Sequence, residues 1–389
     1  MQKKLNHSTQ FRLLITSMPK TILVCSSCNT TVGNYYIGML NIFVNDFGWK
    51  AIFLSDTDTS ELNASDDHIQ YMSWPNNNAK SLKAVLFFSK LIIKVKPTIV
   101  LSNFSSTVIC TLLAKIFGIK RVLNHYHTPA AQLKLDGGVS FFQVHLRRMI
   151  LNLNDEIIAA SFFVKNDLND FWKLRDDQIM VIPFLLDAKL LMAKTQGFSS
   201  MNHDIASNDK ISFFYPGRLY SSKGHVEFIE NIFIPIYQRN KNVILIINGI
   251  GPLEKKIRQF VNDNGLDEAI VFQSPTTYSE YLFNIKNSTF CCGLSLAEGF
   301  GLVFLEMLAM GAIPITRNIS PMNEFIPNDL GILLNDQNYQ EVVEKVLSLI
   351  ANKKIYDQQR DDILQYFSAQ YDIRSHGHEY AHLIKGAHA

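Results

Sequence analysis

The run Phe290-Cys291-Cys292-Gly293-Leu294-Ser295-Leu296-Ala297-Glu298-Gly299-Phe300-Gly301-Leu302-Val303-Phe304-Leu305-Glu306 decides the fold. Its first five residues are short, apolar and dense enough for a buried strand. Gly299 and Gly301 break the run, and the apolar spacing beyond them is helical. A strand that passes through a glycine loop directly into a helix is half of a β–α–β unit. The next apolar run, Ile313–Thr316, is the returning strand. The same pattern extends outward on both sides. Upstream, Ile211–Tyr215, Val243–Ile247 and Ala269–Phe272 read as strands. In the first half Thr21–Cys25, Ala51–Leu54, Thr98–Leu101 and Arg121–His125 do so, separated by helical patterns near Tyr35–Asn45, Ala79–Lys94 and Val108–Phe117. Around Phe198–Lys210 the alternation lapses into a polar stretch that reads as a linker.

The expected architecture is α/β: two Rossmann-like, doubly wound parallel-sheet domains facing across a cleft. They span residues 1–195 and 196–360. Residues 361–389 form a last helix that closes the second domain or crosses back to the first. Open parallel sheets bind ligands beyond the carboxyl ends of their strands, so the chemistry belongs to loops that follow strands in both halves.

The chain has 389 residues, 47% of them hydrophobic and 19% charged, with a net charge of +2. That composition excludes intrinsic disorder and a protein built to coat nucleic acid. The average conceals an asymmetry. Residues 1–195 carry a net of +7 and the remainder −5, and between His68 and Asn154 eleven basic residues face a single acid, Asp136. Lys83, Lys90 and Lys94 share one helical face with Phe87, and Arg147-Arg148 follow Phe141-Phe142. Lysine–aromatic faces suit an anionic membrane surface, so residues 80–148 are a candidate contact for one, against the plainer reading of a solvated outer helix. The most apolar window, Leu294 to Thr316, carries Glu298 and Glu306, which would be costly in lipid. Five sparse cysteines give no disulfide framework. Cys25-Ser26-Ser27-Cys28 has redox spacing but no helix opening at its first cysteine. The chain reads as cytoplasmic.

Three loops carry the chemistry. In the opening segment, Gly299 and Gly301 allow close approach of a ligand, and the helix start beyond them favours an anion. Glu298 and Glu306 project from an apolar stretch, where a carboxylate needs partners such as sugar hydroxyls. The second loop, Tyr215-Pro216-Gly217-Arg218-Leu219-Tyr220-Ser221-Ser222-Lys223-Gly224, places two cations, Arg218 and Lys223, after a strand, as a departing diphosphate requires. The third, Asn248-Gly249-Ile250-Gly251-Pro252, carries two glycines suited to packing against a base or pyrophosphate.

Together, in this order, the loops resemble the retaining glycosyltransferases of family 4, whose architecture is called GT-B. GRLYSSKG is similar to the family's Gly-Arg…Lys-Gly segment, and EGFGLVFLE to its pair of glutamates separated by seven residues. The resemblance covers Tyr215 to about Glu324, where Asn323-Glu324-Phe325-Ile326 looks like a loop that closes on the donor. It implies transfer of a sugar from a UDP-, GDP- or ADP-sugar to a glycan or lipid-linked acceptor, without a metal or other cofactor, in the synthesis of cell-surface polysaccharide or lipopolysaccharide. By the same resemblance Arg218 and Lys223 hold the diphosphate, with Gly217, Gly249 and Gly251 lining the nucleotide. Glu298 binds sugar hydroxyls, while Gly299, Phe300, Gly301 and Leu302 lie by sugar and phosphate. Glu306 binds the ribose. In the first half His127, with His125 two residues back, looks like the family's strand-end histidine, and Gly33 falls in the loop after the first strand. Phe184-Leu185 stand where the family commonly has Asn-Gly. Two other readings have the same fold: a silent GT-B binding or scaffold subunit, and a nucleotide-sugar enzyme such as an epimerase.

Overall fold

A computed structural model of the chain describes residues 20–27, 30–59, 68–135, 138, 140–196, 210–274 and 276–386. Most of the linker stretch, and Cys28, lie outside them. Seven strands, β1 (Thr21–Cys25), β2 (Lys50–Ser55), β3 (Ile69–Ser73), β4 (Ile99–Asn103), β5 (Arg121–Tyr126), β6 (Glu156–Ala159) and β7 (Ile179–Val181), form one sheet in the order β3-β2-β1-β4-β5-β6-β7. Six more form a second sheet: β8 (Ile211–Pro216), β9 (Val243–Asn248), β10 (Ile270–Gln273), β11 (Phe290–Gly293), β12 (Ile313–Arg317) and β13 (Ile332–Leu334), in the order β10-β9-β8-β11-β12-β13. Every pairing is parallel. The central strands are buried along their whole length because helices cover both faces, which is why they are continuous apolar runs rather than alternating ones. The two-domain α/β architecture expected from the sequence is the one observed.

Each sheet reverses its winding once, between β1 and β4 and between β8 and β11. The crevices opened at those points lie beyond Cys25 and Asn103 in one domain and beyond Pro216 and Gly293 in the other. The strand signals of the sequence do not include β3, β6, β7 and β13. β3, β7 and β13 are short edge strands, β6 is only four residues long, and the partly exposed pattern of β3 lacks both a continuous apolar run and clean alternation.

Two local expectations are corrected. Gly33 does not sit in a loop. The helix begins at Thr31, not Tyr35, because Thr30 caps it by accepting the Gly33 N–H at 3.0 Å, which places Gly33 in the first turn. The last helical stretch is also not one helix. Helix Lys353–Gln370 ends at Tyr371, and helix Ile373–Lys385 starts afresh with Asp372 as its cap. The break is stitched to the segment after β7: Leu186 N–H donates to the Tyr371 carbonyl at 3.0 Å, and Ile373 N–H to the Leu186 carbonyl at 3.1 Å. Helix Ile373–Lys385 then packs on helix Thr31–Asn45 of the first domain. No helix among the described residues is long and apolar enough to cross a membrane.

Candidate active site

The loop after β8 is held rigidly before it presents any charge. Tyr215 is buried at the end of that strand; its hydroxyl donates to the Lys223 carbonyl at 2.5 Å and accepts the Leu294 N–H at 2.7 Å. One side chain thus joins the cation loop to the glutamate loop. Leu296 N–H donates to the Ser222 carbonyl at 2.9 Å, a second link between them. Lys223 ends a short 3-10 turn, and Gly224 follows at φ +70°, where a Cβ would lie 2.5 Å from the Leu294 carbonyl oxygen. That glycine is required by space and by backbone conformation alike.

Lys223 and Glu298 meet in this frame. Nζ lies 2.5 Å from Oε1, and both side chains are largely shielded, at 15% and 17% exposure. Lys223 also reaches Ser295 Oγ at 3.5 Å. Arg218, on the same loop, is exposed and lies over the Tyr220 ring at 5.0 Å. The helix that follows, Leu302–Ala309, starts at Gly301 with φ +86° and has no side-chain cap, so its first N–H groups face the loop.

The glycines of these loops make room for neighbouring backbone. A Cβ on Gly249 would fall 1.9 Å from the Gly217 carbonyl oxygen, and one on Gly251 2.5 Å from that of Leu219. The loops after β8 and β9 are therefore packed backbone to backbone, and that packing by itself requires glycine at Gly249 and Gly251. A Cβ on Gly299 would lie 1.7 Å from the carbonyl oxygen of His127, in the other domain. Ser161 Oγ donates to the Gly299 carbonyl at 3.0 Å, so the two domains touch at this glycine.

Glu306 is 1% exposed. It accepts hydrogen bonds from Thr31 Oγ1, from the Tyr278 hydroxyl at 2.6 Å and from the Tyr281 hydroxyl at 2.7 Å. Burial raises its pKa above the usual carboxylate value, and the three hydroxyls offset this only in part. Thr31 belongs to the first domain, so Glu306 also bridges the cleft. Close by, Lys194 Nζ donates to Asn34 Oδ1 at 3.3 Å and lies 5.6 Å from the Tyr278 ring. No motif of the sequence singles out Thr31, Tyr278, Tyr281 or Lys194. The spacing of Tyr278 and Tyr281, one turn apart on a helix face, was the available signal.

On the first domain His125 and His127 sit at the end of β5 with their rings 4.3 Å apart. The Nδ1 of His125 pairs with the Tyr36 hydroxyl at 2.7 Å. Both nitrogens of His127 are buried without a partner among the described residues. Burial pushes His127 down to about 3 and holds His125 well below the usual imidazole value, the neighbouring His127 adding to the second shift. A row of rings continues from there: Phe104 on His127 at 4.6 Å, His127 on Phe184 at 5.3 Å, Phe184 on Phe300 at 5.6 Å, and Phe300 on Phe325 at 4.7 Å. Phe184, which departs from the Asn-Gly of the family, is the ring that joins the histidines to the second domain. Phe325 belongs to a one-turn helix, Met322–Phe325, where a loop was expected. Its Glu324 reaches across to accept the N–H groups of Phe162 and Phe163 at 2.8 and 2.9 Å.

The structure therefore brings Lys223, Glu298, Gly299, Phe300 and His127 together along one cleft, with Glu306 on a second bridge to Thr31. Against known proteins, the family model described as Glycosyl transferases group 1 matches residues 200–365, and that described as Glycosyltransferase Family 4 matches residues 48–189. An uncharacterized glycosyltransferase of Methanocaldococcus jannaschii is 24% identical over 273 residues, covering 67% of this chain and 68% of the relative. The GDP-mannose:cellobiosyl-diphosphopolyprenol alpha-mannosyltransferase of Xanthomonas campestris is 27% identical over 168 residues, and the match spans 42% of this chain and 43% of that enzyme. Among solved structures, the Anabaena protein HepE in complex with UDP and glucose superposes with a TM-score of 0.73 at 15% identity, covering 94% of this chain and 99% of that one. Sucrose-phosphate synthase from Thermosynechococcus elongatus gives 0.72 at 17% identity, covering 94% and 98%.

Proposed function

We propose that the chain, whose two halves match the Glycosyltransferase Family 4 and Glycosyl transferases group 1 models on a GT-B fold, moves a sugar from a nucleotide-diphosphate donor to a glycan or lipid-linked acceptor. The reaction retains configuration at the transferred carbon, uses no resident metal or cofactor, and serves the synthesis of cell-surface polysaccharide or lipopolysaccharide. UDP, GDP and ADP are the candidate nucleotides. The observation that carries the reading is the shielded Lys223–Glu298 pair, held at 2.5 Å on two cross-linked loops, before an uncapped helix start and across the cleft from His127.

When the bond between the sugar and its diphosphate breaks, negative charge grows on the departing phosphate. Lys223 and Arg218, with the N-terminus of helix Leu302–Ala309, stabilise that charge without rearrangement. Glu298 then has a sugar hydroxyl as its partner in place of, or beside, the lysine. Glu306 accepts three hydrogen bonds, from Thr31, Tyr278 and Tyr281. A ribose replaces the Thr31 hydroxyl at no loss of hydrogen bonds, because it supplies hydroxyls of the same kind. His127, neutral at physiological pH, offers an acceptor nitrogen to a hydroxyl of donor or acceptor. The basic balance of residues 80–148 supports a peripheral seat on the inner face of an anionic membrane.

Thermal-shift titration with UDP, GDP and ADP identifies the nucleotide that binds. Glu306→Ala is expected to weaken that nucleotide by roughly 10- to 100-fold, the worth of hydrogen bonds to a charged group. Lys223→Ala is expected to lower release of nucleotide from the donor by roughly 100- to 1000-fold in kcat. Unchanged values in both variants would remove the site.

A further inference from the structure

Helix Phe141–Asn152 turns its apolar side outward. Ser140 and Gln143 cap it reciprocally, yet Phe141 is 80% exposed, Phe142 74% and Met149 60%, while its buried residues are only Ile150 and Leu151. The adjoining helix Thr107–Ile116 exposes Val108, Leu112 and Ile116 at four-residue intervals, so the two helices present one apolar surface. Between that surface and the end of β5 lies a cavity of about 440 Å³, whose walls include Lys80, Phe104, His127, Gln143, Leu146 and Arg147. Lys80 and Arg147 are exposed, and neither forms an ion pair among the described residues. His127, with both nitrogens unpartnered, lines the inner wall.

The cavity thus joins three features that one molecule must satisfy together. A wholly polar glycan leaves Phe141, Phe142, Leu146 and Met149 uncovered. A neutral lipid leaves two cations unmatched in a region where eleven basic residues face one acid. Inorganic phosphate answers the cations alone. We propose that the cavity is the acceptor seat, and that it takes a phosphate-bearing amphiphile with its phosphate between Lys80 and Arg147 and its chain on the apolar face of helix Phe141–Asn152. The seat rests on the glycosyl-transfer reading and extends it, since it names the chemical class of the acceptor and the path by which it reaches His127.

Farnesyl diphosphate is a probe that combines both parts, and isothermal titration calorimetry on the full chain reads its affinity. Wild type is expected to bind it at least tenfold more tightly than farnesol or inorganic diphosphate. The double variant Lys80→Glu/Arg147→Glu, and separately Phe141→Ser/Phe142→Ser, should each weaken it at least tenfold. Lys223→Ala should leave its affinity within about twofold, which separates this seat from the diphosphate loop of the donor. All four seat substitutions are at exposed positions, and an unchanged nucleotide affinity in the variants reports that they are folded. Equal binding by wild type and the charge-reversed variant overturns the proposal, as does equal binding of farnesol. Charge-dependent binding of phosphatidylglycerol vesicles without binding of farnesyl diphosphate also overturns it, because the face would then meet a bilayer surface only. Failure of the transfer reading shows elsewhere, as no binding of UDP, GDP or ADP.

Discussion

At the scale of single residues, neutral histidines set how the protein responds to acid. His125, His127 and His225 are buried; burial takes His127 down to about 3 and His225 to about 4, with His125 well below its ordinary value. In the unfolded chain each titrates near 6.5. Below that pH the unfolded chain gains protons that the native one does not, so stability is full above about 6.5 and falls as pH drops toward the folded values. From pH 7 to 5.5 the loss is about 1 kcal/mol for each histidine. Glu306 runs the other way, since its raised pKa costs stability at neutral pH and relieves it only as pH falls through its folded value. Urea unfolding at pH 7 and 5.5 should therefore show a clear loss at the lower pH, and His127→Gln should shrink that loss by about 1 kcal/mol. An undiminished loss in the variant would show that His127 is not held neutral.

Among the elements, helix Phe162–Asp170 shows how a domain contact can complete a helix end. Ser161 accepts the Val164 N–H at 3.1 Å, and Glu324 accepts those of Phe162 and Phe163, so one N–H of the first turn is satisfied by its own cap and two by the other domain. Glu324→Ala should cost about 1 kcal/mol, because Phe162 is well exposed and water recovers part of the loss. Glu324→Gln keeps one acceptor oxygen and should cost less. Equal unfolding midpoints for all three proteins would show that the cap contributes nothing. Such a contact joins residues 162 positions apart and leaves no local trace in the sequence. What is local was legible. β8, β9, β11 and β12 are apolar runs bounded by glycines, and the loops that carry Lys223 and Glu298 follow from them. The backbone packing at Gly249 and Gly251 was not, because a glycine demanded by a neighbouring backbone and one demanded by a ligand look alike in sequence. Nor was the aromatic row through Phe184, whose members come from five separate segments.

For the whole molecule, the decisive contact is made by the last helix. Helix Ile373–Lys385 follows the second domain in sequence but lies on helix Thr31–Asn45 of the first, and the two approach closely at Gly38 and Gly377. A Cβ on Gly377 would fall 2.5 Å from Ile42 Cδ1 and 2.8 Å from Ile373 Cγ1, and one on Gly38 would fall 2.6 Å from Ile373 Cδ1. Helix Thr31–Asn45 carries at its start the Thr31 hydroxyl that meets Glu306. A shift of the last helix is thus passed from Gly38, in the middle of helix Thr31–Asn45, to its first residue, Thr31. Gly377→Val should overpack this crossing at a cost of about 1–3 kcal/mol. If the crossing fixes the cleft, nucleotide affinity should fall severalfold in the same variant, even though the atoms nearest residue 377 belong to Ile42 and Ile373 and not to the site. A variant that loses stability but binds nucleotide as tightly as wild type would limit the last helix to a brace. One that keeps both would mean that the glycines are not needed where the two helices meet. Coupled losses are expected, because the same helix Thr31–Asn45 carries the crossing at Gly38 and the cleft contact at Thr31.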